Sequence, residues 1–190
     1  VTQATLKVVG AFHGLSRERS DSRKYPAIQP LLSWSKYTSI LPASAVSYAH
    51  DFLSRGVEIE QMMKVVGEEG TSLEDFVIYL KGEFLDAVYL QQNSFDPVDA
   101  SVSRERQHYL FRIILEILGS SFGFGSKEEA RSWFNKARLL FIDFNSSAWK
   151  SEEFTVKDTE IRALVAERAG ALDSTAEKLL ALDELAGRME

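Results

Sequence analysis

The chain has no cysteine among its 190 residues, only three histidines, and fewer basic than acidic side chains. Each shortage closes off a class of function. Without cysteine there are no disulfides, thiolate metal sites or cysteine nucleophiles, which fits a reducing compartment. His13, His50 and His108 stand apart, with no partner at metal-ligand spacing, so no metal centre is expected. A net charge of -6 argues against a general nucleic-acid binder, because neutralising phosphates needs a basic surface. Charge interrupts the apolar segments well short of the ~20 residues of a membrane helix, and no leader pattern opens the chain. The expectation is a soluble, cytosolic protein. Its first residues, Val1-Thr2-Gln3, include no initiator Met, and a piece of a longer polypeptide is expected.

A hydrophobic content of 45% can supply a real core. Leu6 to Phe12 is short and Val-rich, the profile of a buried strand, and it is the only good strand signal. Leu15 to Lys24 is strongly charged and reads as a solvated short helix or loop. Pro26 and Pro30 predict an extended path beyond it. After Pro42 the apolar period becomes helical and stays so almost to the end. Ala49, Phe52, Leu53, Val57, Met62 and Val66 form one stripe, which Gly67 and Gly70 can terminate. Thr71 to Glu74 fits a capping box, with the Thr71 hydroxyl on the Glu74 amide. Leu73, Phe76, Val77, Leu80, Phe84, Ala87 and Val88 follow as a second stripe. The short connection makes the two helices antiparallel neighbours and the acidic Gly67-Glu68-Glu69-Gly70 turn a hairpin tip.

Gln91, Gln92 and Asn93 are too polar to extend that stripe, and Pro97 disfavours helix at Asp96. Phe95 therefore lies in a loop, where the residues alone favour a plug at the end of the core. Ser103 caps a helix carrying Leu110, Ile113, Ile114 and Ile117. Ser126 to Glu129 is another capping box, opening a helix with Ala130, Trp133, Phe134, Ala137, Phe141 and Phe144 inward. From Ser146 the chain is more polar and splits into two helical segments. Ile161, Leu164 and Val165 mark the first, and Leu179, Leu182 and Leu185 the second, capped by Ser174 with Glu177. Looser packing is expected there.

Catalytic constellations are scarce. Gly119 to Lys127 is glycine-rich, but a phosphate loop needs its Lys after the last Gly and before Ser/Thr, whereas Ser126 precedes Lys127. A flexible helix connection accounts for it. Glu68, Glu69, Glu74 and Asp75 read as a solvated helix start, or as a docking tip for a basic partner. Asp96 and Asp99 read as turn and cap residues. On residues alone this is a helical interaction domain with no visible catalytic machinery.

Three stretches in order carry a resemblance. They are Val1-Thr2-Gln3-Ala4-Thr5-Leu6, Lys24-Tyr25-Pro26-Ala27-Ile28-Gln29-Pro30, and Tyr89 to Asp99, which is close to an LQQNxFxxVD motif. The pattern resembles the C-terminal region of the catalytic A subunit (alpha chain) of vacuolar/archaeal-type, or V-type, rotary ATPases and ATP synthases. It runs from Val1 to about Leu118; the polar stretch after Ser146 matches no part of it. The resemblance implies a mainly α fold. Residues 1–41 would be a remnant of the nucleotide-binding domain, 42–145 a helical bundle with the acidic tip, and 146–190 a polar helical extension. It implies that Tyr25 and Phe95 line an adenine pocket, and that Glu68, Glu69, Ser72, Glu74 and Asp75 bear on the central rotor stalk. ATP/ADP with Mg would be the cofactor, with Mg held by upstream residues, and the B subunits of the catalytic hexamer would be partners. The chain would contact the membrane only through the assembled complex, and alone would not hydrolyse ATP. Ser101, where the family usually has an aromatic, and the GEEGTSLED tip depart from the pattern. The competing expectation is a helical adaptor with no nucleotide contact.

Overall fold

Residues 10–37 and 39–187 are described by a computed structural model, with side chains to residue 182. Of the strand expected over Leu6 to Phe12, Leu6 to Val9 lie outside them, as does the stretch Val1 to Leu6. Two short strands, β1 (Ala11–Phe12) and β2 (Trp34–Ser35), pair antiparallel. Between them Ser16 caps α1 (Arg17–Asp21), and Pro30 opens a 3-10 turn (Pro30–Leu32). The extended path expected at Pro30 is thus a helical turn, because a fixed φ near −65° suits a first helical position. The charged stretch is not wholly solvated either: Arg19 is buried.

Helix α2 (Ala43–Val66) runs into α3 (Leu73–Leu85) through the acidic turn, forming the predicted hairpin. The buried face of α2 is Ala45, Ala49, Phe52, Gly56 and Ile59, a 4-3-4-3 seam. Val57, Met62 and Val66, expected inward, are exposed because the partner helix covers only that narrow seam. Gly67 ends α2 at φ 76 and ψ 163, a region open essentially to glycine alone. The cap of α3 is Ser72 rather than Thr71. The Ser72 hydroxyl accepts from the Asp75 amide at 3.1 Å, while buried Thr71 donates back to the Gly67 carbonyl at 3.3 Å. Beyond Leu85 the helix widens into a π turn (Asp86–Leu90).

Ser103 and Ser126 cap α4 (Arg104–Gly119) and α5 (Lys127–Ser146) as the sequence predicts. The connection between them is not a flexible loop. Ser120–Phe122 is strand β3, paired antiparallel with β4 (Ala169–Leu172), which follows α6 (Glu152–Arg168). Helix α7 (Ser174–Gly187) is capped by Asp173, whose carboxylate accepts the Thr175 and Ala176 amides at 2.9 and 2.8 Å; Ser174 does not serve. The final third is not loosely packed. Phe154, Ile161, Leu164, Val165, Leu179 and Leu180 share one core with Phe84, Ile114 and Phe141, although Leu182 is exposed. Aromatics dominate its centre: Phe84 meets Phe141 edge-on at 5.1 Å, and Phe144 stacks on Phe154 at 4.4 Å. The fold is mainly α, and among the described residues no helix is long and apolar enough to cross a membrane.

Candidate functional site

The π turn brings the two predicted pocket segments together. A five-residue π turn commonly marks a functional position, since its extra residue breaks the α ladder. Here Asn145 of α5 supplies a missing donor, its Nδ2 bonding the Val88 carbonyl at 2.8 Å. The chain leaves the turn extended at Gln91, and the Gln92 amide donates to the Tyr25 carbonyl at 2.8 Å. Tyr25 and the amide run therefore border one cavity of about 510 Å³, lined also by Arg23, Asp96, Asp99, Leu139 and Ile142.

The loop after the turn is fixed by its own side chains. The Asn93 and Phe95 amides donate to Asp99 Oδ2 and Asn93 Oδ1, at 2.6 and 3.1 Å. Asp96 Oδ1 accepts from the Val98 and Asp99 amides, as an Asx turn does. Burial pushes the Asp99 carboxyl up, opposed by the Asn93 amide and assisted by Asp96. On this frame Phe95 is 96% exposed, so it is no core plug, and it stands outside the cavity lining; Tyr25 is 56% exposed.

Three basic side chains missed by sequence reasoning, Arg19, Lys81 and Arg106, brace the surroundings. Arg19 forms a bidentate pair with Asp86, at 3.0 and 2.7 Å, and Lys24 reaches the same carboxylate at 2.8 Å. Asp86 is only 4% exposed. Burial alone would raise its carboxyl, but Arg19 and Lys24 hold it below the usual range. Lys81, 7% exposed, donates to the Leu118 and Ser120 carbonyls at 2.8 and 2.7 Å, closing the end of α4. Arg106 does the same for α5, reaching the Phe144 and Asn145 carbonyls at 3.1 and 2.7 Å. A signal existed for Lys81 and Arg106. Val77, Lys81, Phe84 and Val88, and likewise Arg106, Leu110, Ile113 and Ile117, are spaced 4-3-4, so each cation sits on an apolar stripe.

At the far end of the hairpin Glu68, Glu69, Ser72 and Glu74 are exposed and Asp75 is half-buried. The tip leans on α5. Arg131 pairs with Glu68 at 2.5 Å, its guanidinium lying 5.2 Å over the Phe76 ring, and Lys127 donates to the Glu68 carbonyl. Val65 and Val66 are exposed beside the acids.

Residues 44–120 match the family model for the C-terminal domain of V and A type ATP synthase. Over 180 residues, 95% of its length, the chain is 66% identical to the V-type ATP synthase alpha chain of Treponema denticola, covering 31% of that protein. The chain belongs to this ATP synthase family. The V-type ATP synthase alpha chain 1 of Treponema pallidum is 60% identical over 180 residues, 95% of this chain and 31% of its own. That of Borrelia turicatae is 58% identical over 165 residues, 87% of this chain and 29% of its own. The chain thus spans less than a third of the length of the curated relatives it matches, 31% and 29% of these. The segment that matches the ATP synthase domain takes in α2, the tip, α3, the π turn and α4. A match over 180 residues necessarily includes most of the polar final third, so the likeness extends beyond Leu118.

Proposed function

We propose that this chain is the C-terminal part of an ATP synthase catalytic subunit, contributing the adenine-side wall of a nucleotide site and a rotor-facing tip. The observation carrying this reading is the shared cavity of about 510 Å³, where Tyr25 meets Gln91, Gln92 and Asn93 through a direct backbone bond. An exposed aromatic face held on a fixed frame suits stacking on a base, and amides offer both donors and acceptors to its edge. Phe95, held in solvent by a loop that its neighbours fix, is a binding group awaiting a cover. The residues present fit the base of ATP or ADP and not its phosphates. Mg would be held by residues outside this chain and would neutralise the phosphate charge. The chain alone is expected not to hydrolyse ATP.

The acidic tip of Glu68, Glu69, Ser72, Glu74 and Asp75 is the proposed contact with the central stalk, and the B subunits are the proposed neighbours across the nucleotide site. In this reading α3 is a stiff arm between base and rotor, joining nucleotide turnover to proton or sodium transport by a sector peripheral to the membrane. Glu68 serves partly as a brace, being already paired with Arg131.

The test is Tyr25→Ala and Phe95→Ala in the complete subunit within its assembled complex. Loss of a stacking face costs about 1–3 kcal/mol of nucleotide affinity. Folding should be unchanged for Phe95→Ala, because that ring buries almost nothing. Wild-type nucleotide affinity in both variants refutes the adenine role. Reversing Glu69, Glu74 and Asp75 together should impair coupling of hydrolysis to ion transport; intact coupling would make the tip a solvated turn.

A further inference from the structure

Asp86 stands where α3 gives way to the π turn, and the two segments that bring Tyr25 and the amide run to the cavity are both tied to it. Through its carboxylate it holds Arg19 and Lys24, the latter next in sequence to Tyr25. Through its carbonyl it takes the Gln91 amide at 3.1 Å, the first residue of the amide run. The Lys24 amide closes back on the Arg19 carbonyl at 2.9 Å, so the segment Arg19 to Lys24 is a tied loop anchored at both ends to one carboxylate. The bidentate Arg19 pair engages both Asp86 oxygens, each of which can accept a second bond. Lys24 adds a further contact on Oδ2 at 2.8 Å, and Glu83 lies 3.6 Å from its ammonium on the preceding turn of α3. Burial works against a charged Lys24, yet Asp86 and Glu83 raise its pKa above the ordinary lysine value.

We propose that Asp86 and Lys24 are positioning residues of the base pocket, fixing where Tyr25 stands relative to Gln91, Gln92 and Asn93 and hence how a nucleobase seats between them. The inference rests on the reading of Tyr25 as a base-contacting residue. A ring attached to a backbone that is pinned on both sides loses little freedom when a ligand arrives, so the clamp acts on affinity through Tyr25 and not by touching the ligand. Asp86 also terminates α3, which makes the pocket and the hairpin share one anchor.

The experiment compares variants of the complete subunit in its assembled complex, reading KM for ATP and kcat, with the thermal midpoint as a check on folding. Lys24→Met leaves the Arg19 pair in place; KM for ATP should rise about three- to tenfold while kcat stays within about twofold. Lys24→Arg, which restores the cation, should return KM close to wild type. Tyr25→Ala is measured alongside, and so is the double variant. If Lys24 works through Tyr25, the double variant has the KM of Tyr25→Ala alone, because the two changes share one route. Effects that multiply, or an unchanged KM in Lys24→Met when Tyr25→Ala raises it, overturn the positioning role and leave the base contact standing. An unchanged KM in Tyr25→Ala overturns the base contact and the positioning role together. Asp86→Asn keeps the shape and removes the charge. It should raise KM beyond Lys24→Met; a KM no higher than wild type, in a variant that folds, contradicts the assignment.

Discussion

Lys81 makes stability depend on pH in a way that few lysines can. Its ammonium lies under the rings of Phe52 and Phe122, at 5.5 and 5.4 Å, and its hydrogen bonds go to two backbone carbonyls. Burial pushes the pKa down to about 8 from the ordinary 10.5, with Asp173 opposing the shift and Arg55 adding to it. Between those two values the unfolded chain keeps the proton and the folded chain releases it, so the unfolded state binds more protons and stability rises with pH. The rise is complete near 10.5 and absent below 8, where both states are charged and the cost of burying the ammonium is fully present. A gap of that size corresponds to about 3 kcal/mol at ~1.36 kcal/mol per pKa unit. The measurement is urea unfolding of the chain and of Lys81→Met at intervals from about pH 7 to 10, which spans most of the window in which only the unfolded state is charged. Lys81→Met loses both carbonyl contacts, which costs it about 1–3 kcal/mol at every pH. The gap between the two proteins should then widen by up to about 3 kcal/mol as pH rises, because only the wild type gains. Tyrosines titrating at the top of the range are common to both and cancel. A gap that stays constant across the range would refute a depressed Lys81.

Ser72→Ala should cost about 1 kcal/mol in urea unfolding, because it removes the N-cap of α3. Gly67→Ala should cost about 1–3 kcal/mol although nothing stands within 4 Å of the added methyl, since the cost lies in the backbone alone. Gly119→Ala should cost about 1–3 kcal/mol by overpacking. A methyl there overlaps Ala176, so a neutral result would mean that α7 does not pack against α4.

Helices were legible wherever one apolar period and one cap lay within reach of each other, as at Ser103 with Leu110 and Ser126 with Ala130. The choice of Thr71 over Ser72 failed because two adjacent hydroxyls both satisfy the spacing; only the backbone decides which is extended. Strand β3 was illegible because its partner lies about fifty residues away, at Ala169–Leu172, and three residues carry no period of their own. The clamp at Asp86 was equally hidden, since Arg19 comes from a charged stretch that looks solvated until a distant carboxylate meets it. Lys81 and Arg106 were different: their positions on apolar stripes were visible, and a cation there needs carbonyls or a carboxylate to meet it. Both found the open end of another helix. For Tyr25 and Phe95, what the sequence made legible was the nearness of their two segments. The motif brought the right segments to one place, but the cavity takes Tyr25 and the amides while Phe95 stands apart from it.

The π turn at Asp86–Leu90 amounts to one residue more than an α-helix would hold over the same rise. Each helical residue turns the chain by about 100°, so everything after Leu90 emerges roughly that far out of phase with the arm that precedes it. Excising a single residue between Asp86 and Leu90 would leave composition and charge almost untouched and would restore the α ladder. It would also swing the amide run away from Tyr25 and aim Phe95 at a different face of the molecule. The facing of that loop is thus set by a count of residues as well as by the side chains that pin it.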